Sequence, residues 1–323
     1  MKKFIAIILF LIICISDYNT HFCQAKVINT KKTEEDKIIV ASEVVVGKDG
    51  WLFYDPHNSN DDIRADYLGT NLFTNEQLNY YLDKLLVIKA KLAVKGIDFC
   101  IFLAPNKNRI YSEYYPDYLG EMNFYYRLKQ FADFITMNSD IKVVYPIDEM
   151  FYTKEHLPSK ILYHKYDTHW NALGGYVGAY SLLKVLGINI PNIHNISINE
   201  IDGKYYDLLN INGKSNKNYK DIDYYLTYEK EPDSSSYVFK DDSIAAYASN
   251  EPANDKRILM CIDSYFAAMS RPMSSVCNNI VSIMFPDFEE RYIDEYKPDV
   301  FVVEILERTL KNRLDHLVSI LGN

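Results

Sequence analysis

The sequence predicts an α/β protein in which a parallel sheet carries helices on both faces. Three observations point there. Strand-type apolar runs alternate with helical stretches between residues 97 and 186, and again between 257 and 321, the pattern of parallel strands joined by crossover helices. The runs at 97–104 (IDFCIFLA) and 257–262 (RILMCI) are almost continuously apolar, as strands covered on both faces must be. The 323 residues are 48% hydrophobic and 24% charged, which supplies a core and is unlike a disordered chain. The sequence has no internal repeat. Its formal net charge of −9 argues against nucleic acid as a partner.

The elements follow in chain order. Lys2 and Lys3 precede an apolar run over residues 4–15, and Cys23-Gln24-Ala25 ends in a small residue. Residues 1–25 therefore read as a signal peptide cleaved after Ala25, or as an uncleaved N-terminal anchor. The run falls short of the ~20 residues of a spanning helix. Export to a periplasm or cell surface is expected. Residues 26–42 are polar and Lys/Glu-rich, a linker ahead of one domain over 43–323. Residues 44–54 (VVVGKDGWLFY) form a hairpin signal, with Asp49-Gly50 at its turn. A helix is expected over 75–95, with Leu78, Leu82, Leu85, Leu86 and Leu92 on one face and Gly96 as its stop. A strand at 97–104, a helix at 123–137 and a strand at 141–147 come next. Residues 162–164 lead into Asp167-Thr168-His169-Trp170, and a helix covers 171–186. Residues 197–255 are polar and Tyr-rich, with a loop signal at Asp233-Ser234-Ser235-Ser236; they read as an insertion with short strands rather than a second core. Strands at 257–262, 279–285 and 299–305 then alternate with helices at 265–275, 287–296 and 308–321.

Two compositional features bear on function. The chain holds 28 tyrosines, which suit wet interfaces and sugar surfaces but also arise by drift in a Lys/Asn/Ile/Tyr-rich proteome. Two of the five cysteines lie in the export segment. Cys100, Cys261 and Cys277 fit no disulfide framework or zinc spacing and read as buried free thiols.

The chemistry concentrates in two segments. Asp167 stands two residues before His169, where a carboxylate can hold the Nδ1 proton and stabilise an imidazolium. Asp263-Ser264 directly follows an apolar strand and precedes a helix. A serine there lies at the carboxyl edge of a parallel sheet, where backbone N–H groups near residues 264–266 can form an oxyanion hole. The same two residues also suit helix capping. Taken together, Ser264 as nucleophile, His169 as base and Asp167 as orienter make an acyl-transfer triad. Asn106 and Lys107 follow a strand end and are candidates for substrate or oxyanion contact, or a solvated turn after Pro105. Tyr265 and Trp170 flank the reacting groups and are further candidates for substrate contact. Trp51 and Trp170 can stack on sugar rings, while Trp170 also suits packing of the loop that carries His169, and Trp51 suits anchoring the hairpin. Glu304, Glu307 and Arg308 suit a structural ion-pair group. His164, Asp167 and His169 can be read as metal ligands, but no further His or Cys falls at a supporting spacing, so neither a metal nor a cofactor is expected.

Several segments resemble one family. GKDGWLFY (47–54), APNKNRIYSEYYPDYL (104–119), DTHWNALGGY (167–176), YDLL (206–209), CIDSYF (261–266) and KPDVFVVEILER (297–308) follow the order and rough spacing of blocks in the AlgX/AlgJ-type alginate O-acetyltransferases and related DHHW-type proteins. The resemblance covers residues 43–310. It implies an SGNH-hydrolase-like three-layer α/β/α domain, with Asp167, His169 and Ser264 at the family's catalytic positions. It further implies O-acetyl transfer to an exported polysaccharide, the acetyl group arriving through a membrane-bound O-acyltransferase within a polysaccharide-synthesis complex. Ile262 stands where the family's nucleophile block usually carries glycine. An acetyl-esterase using the same triad and a non-catalytic surface or assembly protein remain as alternatives. The chain ends where the family's catalytic domain ends, so grip on the polymer is expected from this domain or from a partner.

Overall fold

The computed structural model describes residues 26–27, 39–40, 43–56, 63–204, 206–209, 219–227, 238–241, 244–247 and 254–322. The expected export segment, most of the linker and the serine run at 233–236 lie outside them. Within the linker, Lys26–Val27 and Ile39–Val40 pair antiparallel.

The expected hairpin is present. Strands β1 (Val44–Val46) and β2 (Leu52–Tyr54) pair antiparallel. Asp49 (φ 52°) and Gly50 (φ 72°) take left-handed backbone between them, which is what Asp-Gly supplies. A short helix α1 (Ile63–Leu68) precedes α2 (Asn75–Val94). Thr74 and Gln77 close a reciprocal capping box at the start of α2. Its buried face is Leu78, Tyr81, Leu85, Ile88 and Leu92, spaced three and four apart. Leu86, expected on that stripe, is turned about 100° from Leu85 and is exposed.

Next come β3 (Asp98–Ala104), the single turn α3 (Lys107–Ile110), α4 (Arg127–Asn138), β4 (Lys142–Val144), α5 (Ile147–His156) and α6 (Ala172–Val185). Helix α4 begins four residues later than expected because Tyr126 is extended. Helix α5 was missed by sequence reasoning, although its signals exist: Asp148 and Glu149 in the first turn, Lys154 and His156 in the last. The polar segment then supplies a hairpin of β5 (Ser197–Gly203) and β6 (Asp221–Thr227), followed by β7 (Val238–Asp241) and β8 (Ile244–Tyr247). The chain finishes with β9 (Asn254–Ile262), α7 (Phe266–Ser274), β10 (Cys277–Met284), α8 (Arg291–Tyr296), β11 (Val300–Leu306) and α9 (Leu310–Leu321).

Seven strands form the central sheet in the order β4-β3-β11-β9-β10-β8-β7. The first five run parallel; β8 pairs antiparallel with β10, and β7 pairs antiparallel with β8. The sheet is therefore mixed, mainly parallel. The segment expected as an insertion contributes two of its strands, which cover the unpaired edge that β10 would otherwise present.

Alternation along each strand divides the core. Cys100, Phe102, Ile258, Met260, Ile262, Val300 and Val302 face α6 and α7, where Leu173, Val177, Met269 and Met273 meet them. Phe99, Ile101, Leu103, Leu259, Cys261, Phe301 and Val303 face α2, α4 and α9. The result is three layers, and Cys100, Cys261 and Cys277 are buried and free. Glu304 breaks the apolar parity of β11; it sits at 0% exposure beneath the turn that follows β9. Among the described residues no helix is long and apolar enough to cross a membrane.

Candidate active site

The carboxyl ends of β3, β11 and β9 lie side by side, with Ala104 opposite Leu306 and Val303 opposite Cys261. Asn106, Glu307, Arg308 and Ser264 therefore emerge at one edge. His169 reaches it from a tight excursion of the chain. Tyr163 bridges to Trp170, His164 N–H donates to the His169 carbonyl at 3.2 Å, and Asn171 N–H donates to the Leu162 carbonyl at 2.9 Å. Asn171 also caps α6 by accepting from Leu173 and Gly174 N–H.

The three expected reacting residues come together. His169 Nε2 is 2.8 Å from Ser264 Oγ, and His169 Nδ1 is 2.7 Å from Asp167 Oδ1. Asp167 also accepts from His169 N–H at 3.0 Å and from Asp207 N–H at 2.9 Å. Asp167 is buried, while the His169 side chain is 26% exposed. Burial works against charge on both. For Asp167, the neighbouring His169 and its hydrogen bonds win and hold the carboxyl well below the usual carboxylate range. For His169, the Asp167 charge and hydrogen bond, aided by Asp207 and opposed by Arg308, win and raise the imidazole above 6.5. A neutral His169 with Nδ1–H on Asp167 presents the Nε2 lone pair to the serine hydroxyl.

Two helices leave the site together and fix the separation of His169 and Ser264. Helix α6 starts three residues after His169 and α7 two residues after Ser264. They cross so closely that a Cβ on Gly175 would lie 2.5 Å from the Ala268 Cβ. Trp170 Nε1–H donates to the Tyr265 carbonyl at 2.8 Å, and Tyr265 O–H donates to the Thr168 carbonyl at 2.5 Å. Both aromatic rings are 1% exposed. Expected as a substrate contact, Tyr265 instead couples the serine turn to the histidine loop, and Trp170 takes the loop-packing role expected for it rather than the substrate contact. Lys107 is corrected likewise. Its ammonium donates to the carbonyls of His164 (3.0 Å), Lys165 (3.2 Å) and Asp167 (2.7 Å), which uses all three N–H bonds. Burial pulls its pKa down to about 8 against the pull of Asp207, Asp167 and Asp221. Asn106 differs. It is 3% exposed, its Oδ1 has no partner among the described residues, and it lines a narrow slot with Tyr54, Thr168 and Arg308.

The serine turn modifies the expected oxyanion donors. Ser264 N–H is taken by Asp263 Oδ1 at 2.8 Å, and Asp263 N–H by Glu304 Oε2 at 3.0 Å. Phe266 N–H points back to the Asp263 carbonyl at 3.3 Å. Tyr265 N–H has no acceptor among the described residues. Arg313 pairs with the other Asp263 oxygen at 3.2 Å. Ile262, in the place of a glycine, finishes β9 in register with Met284 and is buried in the core. Glu307 is also buried and structural: it accepts from Arg109 Nε at 2.6 Å and from Asn106 N–H at 2.9 Å.

Sequence reasoning missed the carboxylates that hold this loop. Asp221 accepts from Lys165 and Tyr166 N–H, both at 2.9 Å, and Asp223 from Ala172 N–H at 3.0 Å. Asp207 accepts from Thr168 N–H at 2.7 Å and Thr168 Oγ1 at 2.5 Å, and lies 3.7 Å from His169 Nδ1. Burial and the adjacent Asp167 push the Asp207 carboxyl upward in pKa. Its N–H is the one bonded to Asp167, so Asp207 and the D-T-H segment grip each other in both directions. Replacing Asp207 by Ala removes a two-bond acceptor, at about 1.5–3 kcal/mol for such charge-assisted bonds. If that loss appears as misplacement of His169, kcat falls about 10–150-fold. Steady-state kinetics on an aryl acetate checks this; unchanged kcat would make Asp207 a bystander.

Asp167, His169 and Asp207 also form a cluster of the type that holds metal ions. The 2.7 Å between Asp167 Oδ1 and His169 Nδ1 argues for a proton there. A zinc ion with ligands at ~2.0–2.2 Å needs its donors roughly 3 Å apart or more.

Comparison with known proteins bears on the family and the fold. A family profile described as an SGNH hydrolase-like domain, acetyltransferase AlgX, matches residues 44–224, more than half of the chain. No protein of curated function matches the sequence. Solved structures share the fold, among them the following three. Bacillus cereus PatB1 with a sulfonyl adduct is 14% identical, with TM-score 0.58 over 83% of this chain and 97% of that one. A DHHW family protein from Eubacterium siraeum is 13% identical, with TM-score 0.58 over 92% and 98%. Pseudomonas aeruginosa AlgX is 14% identical, with TM-score 0.50 over 81% and 61%.

Proposed function

Because the chain belongs to the family of AlgX-type SGNH hydrolase-like acetyltransferase domains, we propose that it is an extracytoplasmic O-acetyltransferase that moves acetyl groups onto a polysaccharide through an acetyl-Ser264 intermediate. The observation that carries this reading is the unbroken chain Asp167–His169–Ser264, at 2.7 and 2.8 Å.

In the first half-reaction His169 Nε2 takes the Ser264 proton as Oγ attacks the acetyl carbonyl. The tetrahedral oxyanion is stabilised by the Tyr265 N–H and by the Asn106 amide, which lines the adjoining slot. Collapse expels the donor's leaving group, which takes the proton from His169. In the second half-reaction His169 accepts the proton of a sugar hydroxyl as that oxygen attacks the acetyl-serine. The acetyl group leaves on the sugar, and the proton returns to Ser264 Oγ. Asp167 keeps the imidazole in the productive tautomer and stabilises its cation throughout. The acetyl donor comes through a membrane-bound O-acyltransferase in a polysaccharide-synthesis complex, and an N-terminal signal peptide or anchor takes the chain out of the cytoplasm.

Hydrolysis is the competing reading, favoured by the exposure of the His169 side chain, which lets water reach the acyl-enzyme. The two separate in one experiment. With p-nitrophenyl acetate as donor and a soluble oligosaccharide as acceptor, a transferase yields O-acetylated sugar, and acyl-enzyme turnover rises with acceptor concentration. Release of acetate alone, at a rate indifferent to acceptor, sinks the transferase reading and leaves an esterase.

A further inference from the structure

A cavity lies away from the triad. It measures about 420 Å³ and opens between α5 and α6. That volume is in the ~300–1,000 Å³ range of small-ligand sites, whereas the slot beside Asn106 is far smaller. Each helix gives it one face. Asp148, Glu149 and Tyr152 stand at successive positions of one side of α5, Tyr180 projects from α6, and Asn192 and Ile193 close it from the segment after α6. Tyr152 is 51% exposed, with His156 stacked on it at 3.8 Å, which holds the ring in place. No basic side chain lines the cavity, and among the described residues none pairs with Asp148 or Glu149. Lys184 approaches the Tyr180 ring at 6.0 Å from outside the lining.

The topology places this groove within reach of a chain whose reacting sugar sits at Ser264. Helix α5 begins directly beyond the carboxyl end of β4, the same edge of the sheet as Ser264. Strand β4 is three positions from β9, or ~14 Å at the usual strand spacing. Helix α6 leads from His169 to Tyr180. Binding energy gathered on parts of a substrate remote from the reacting group can serve orientation at that group.

We propose that the α5–α6 groove is a glycan subsite that grips the acceptor polymer a few sugars from the acetylated residue. Tyr152 and Tyr180 stack on sugar rings, and Asp148, Glu149 and Asn192 accept hydrogen bonds from hydroxyl or amine groups. The paired carboxylates fix the class: the polymer segment is neutral or amine-bearing, and a polyuronate is repelled. This rests on the O-acetyltransferase reading for the identity of the ligand.

Calorimetry on the protein with cellohexaose, a glucosamine hexamer and an oligouronate tests it. Wild type binds one of the first two and not the third. Tyr152→Ala weakens that binding at least tenfold, Tyr152→Trp retains it, and Asp148→Asn/Glu149→Gln selectively weakens the amine-bearing hexamer. Ser264→Ala binds like wild type. Thermal unfolding of each variant reports its fold, and Tyr152, being half exposed, is replaceable without opening the core. Equal binding by wild type and Tyr152→Ala, no binding of either preferred oligomer, or preference for the oligouronate overturns the subsite. Loss of the transferase reading is separate: a wild type that forms no acetyl adduct on Ser264 yet binds a hexamer through Tyr152 keeps the groove as a glycan site and drops the chemistry.

Discussion

Ser264→Ala abolishes the acetyl-enzyme and lowers kcat on p-nitrophenyl acetate by roughly 10⁴–10⁶-fold, the scale seen when the nucleophile of a serine triad is removed. The expectation follows from what Oγ does in the structure. Its hydrogen bond runs to His169 Nε2 at 2.8 Å, while the turn around it is held by backbone and carboxylate groups that alanine leaves in place. Ser264 is half-buried at the mouth of the site, so a donor reaches it without opening the core. The variant should therefore unfold at the wild-type temperature. Intact-protein mass spectrometry after exposure to the ester reads the adduct, and peptide mapping places it. A sulfonyl fluoride, which reacts with a serine activated by a neighbouring base, is a second probe. An adduct that persists in Ser264→Ala, on any other residue, removes Ser264 from the mechanism. A wild type that forms no adduct with either reagent would return attention to Ile262, the departure from the glycine of the nucleophile block.

Much of this site is legible in the sequence, and the reason is local. Asp167 and His169 are two residues apart, so a single loop fixes their relation. Ser264 announces itself by position, after an apolar strand and before a helix. What joins the two segments is not local. Tyr265 and Trp170 are candidates for substrate contact in sequence because they stand beside the reacting groups, and Trp170 also suits packing of the His169 loop. Only packing reveals that both rings are buried and exchange hydrogen bonds across 95 and 97 residues of chain. Lys107 misled in the same way: a lysine after a strand end looks solvated, and here three carbonyls surround it. Asp221 and Asp223 were invisible for the converse reason, and Asp207, although within the YDLL segment, carried no expected role. They lie in a polar, Tyr-rich stretch whose composition matches a solvated loop, and nothing in a single sequence distinguishes a carboxylate facing water from one accepting two backbone N–H bonds. The antiparallel strands β7 and β8 were hidden likewise, because edge strands are short and weakly patterned. The fold class survived these misses because it rests on β3, β9 and β11, whose burial on both faces leaves a continuous apolar run.

The pH dependence of kcat/KM should rise through an inflection above 6.5 and fall away below it. His169 shares this ionisation with Asp207, whose carboxyl lies 3.7 Å from the ring and is pushed up to about 7 by burial and Asp167. The sign follows from His169. Its imidazole must be neutral to accept the serine proton, so the active form is the deprotonated one and activity rises with pH. Asp167 stabilises the imidazolium through its charge and the 2.7 Å hydrogen bond, which raises the pKa and puts the inflection above the free-histidine value despite burial. Asp167 itself stays ionised across this range, because His169 and its hydrogen bonds hold it low, so it adds no second inflection. Asp167→Asn tests both halves of this account at once. The amide removes the charge, so the inflection moves down. It also donates where the carboxylate accepted, which turns the Nδ1 proton to the wrong nitrogen, and kcat falls by roughly 10⁴-fold. The two effects have different origins, and a merely structural Asp167 would produce a loss of folded protein with neither signature. If the inflection stays where it is in Asp167→Asn while the plateau falls, His169 is not the titrating base, and the group that is must be sought among its neighbours, with Asp207 first because it shares the same Thr168 and lies 3.7 Å from the ring.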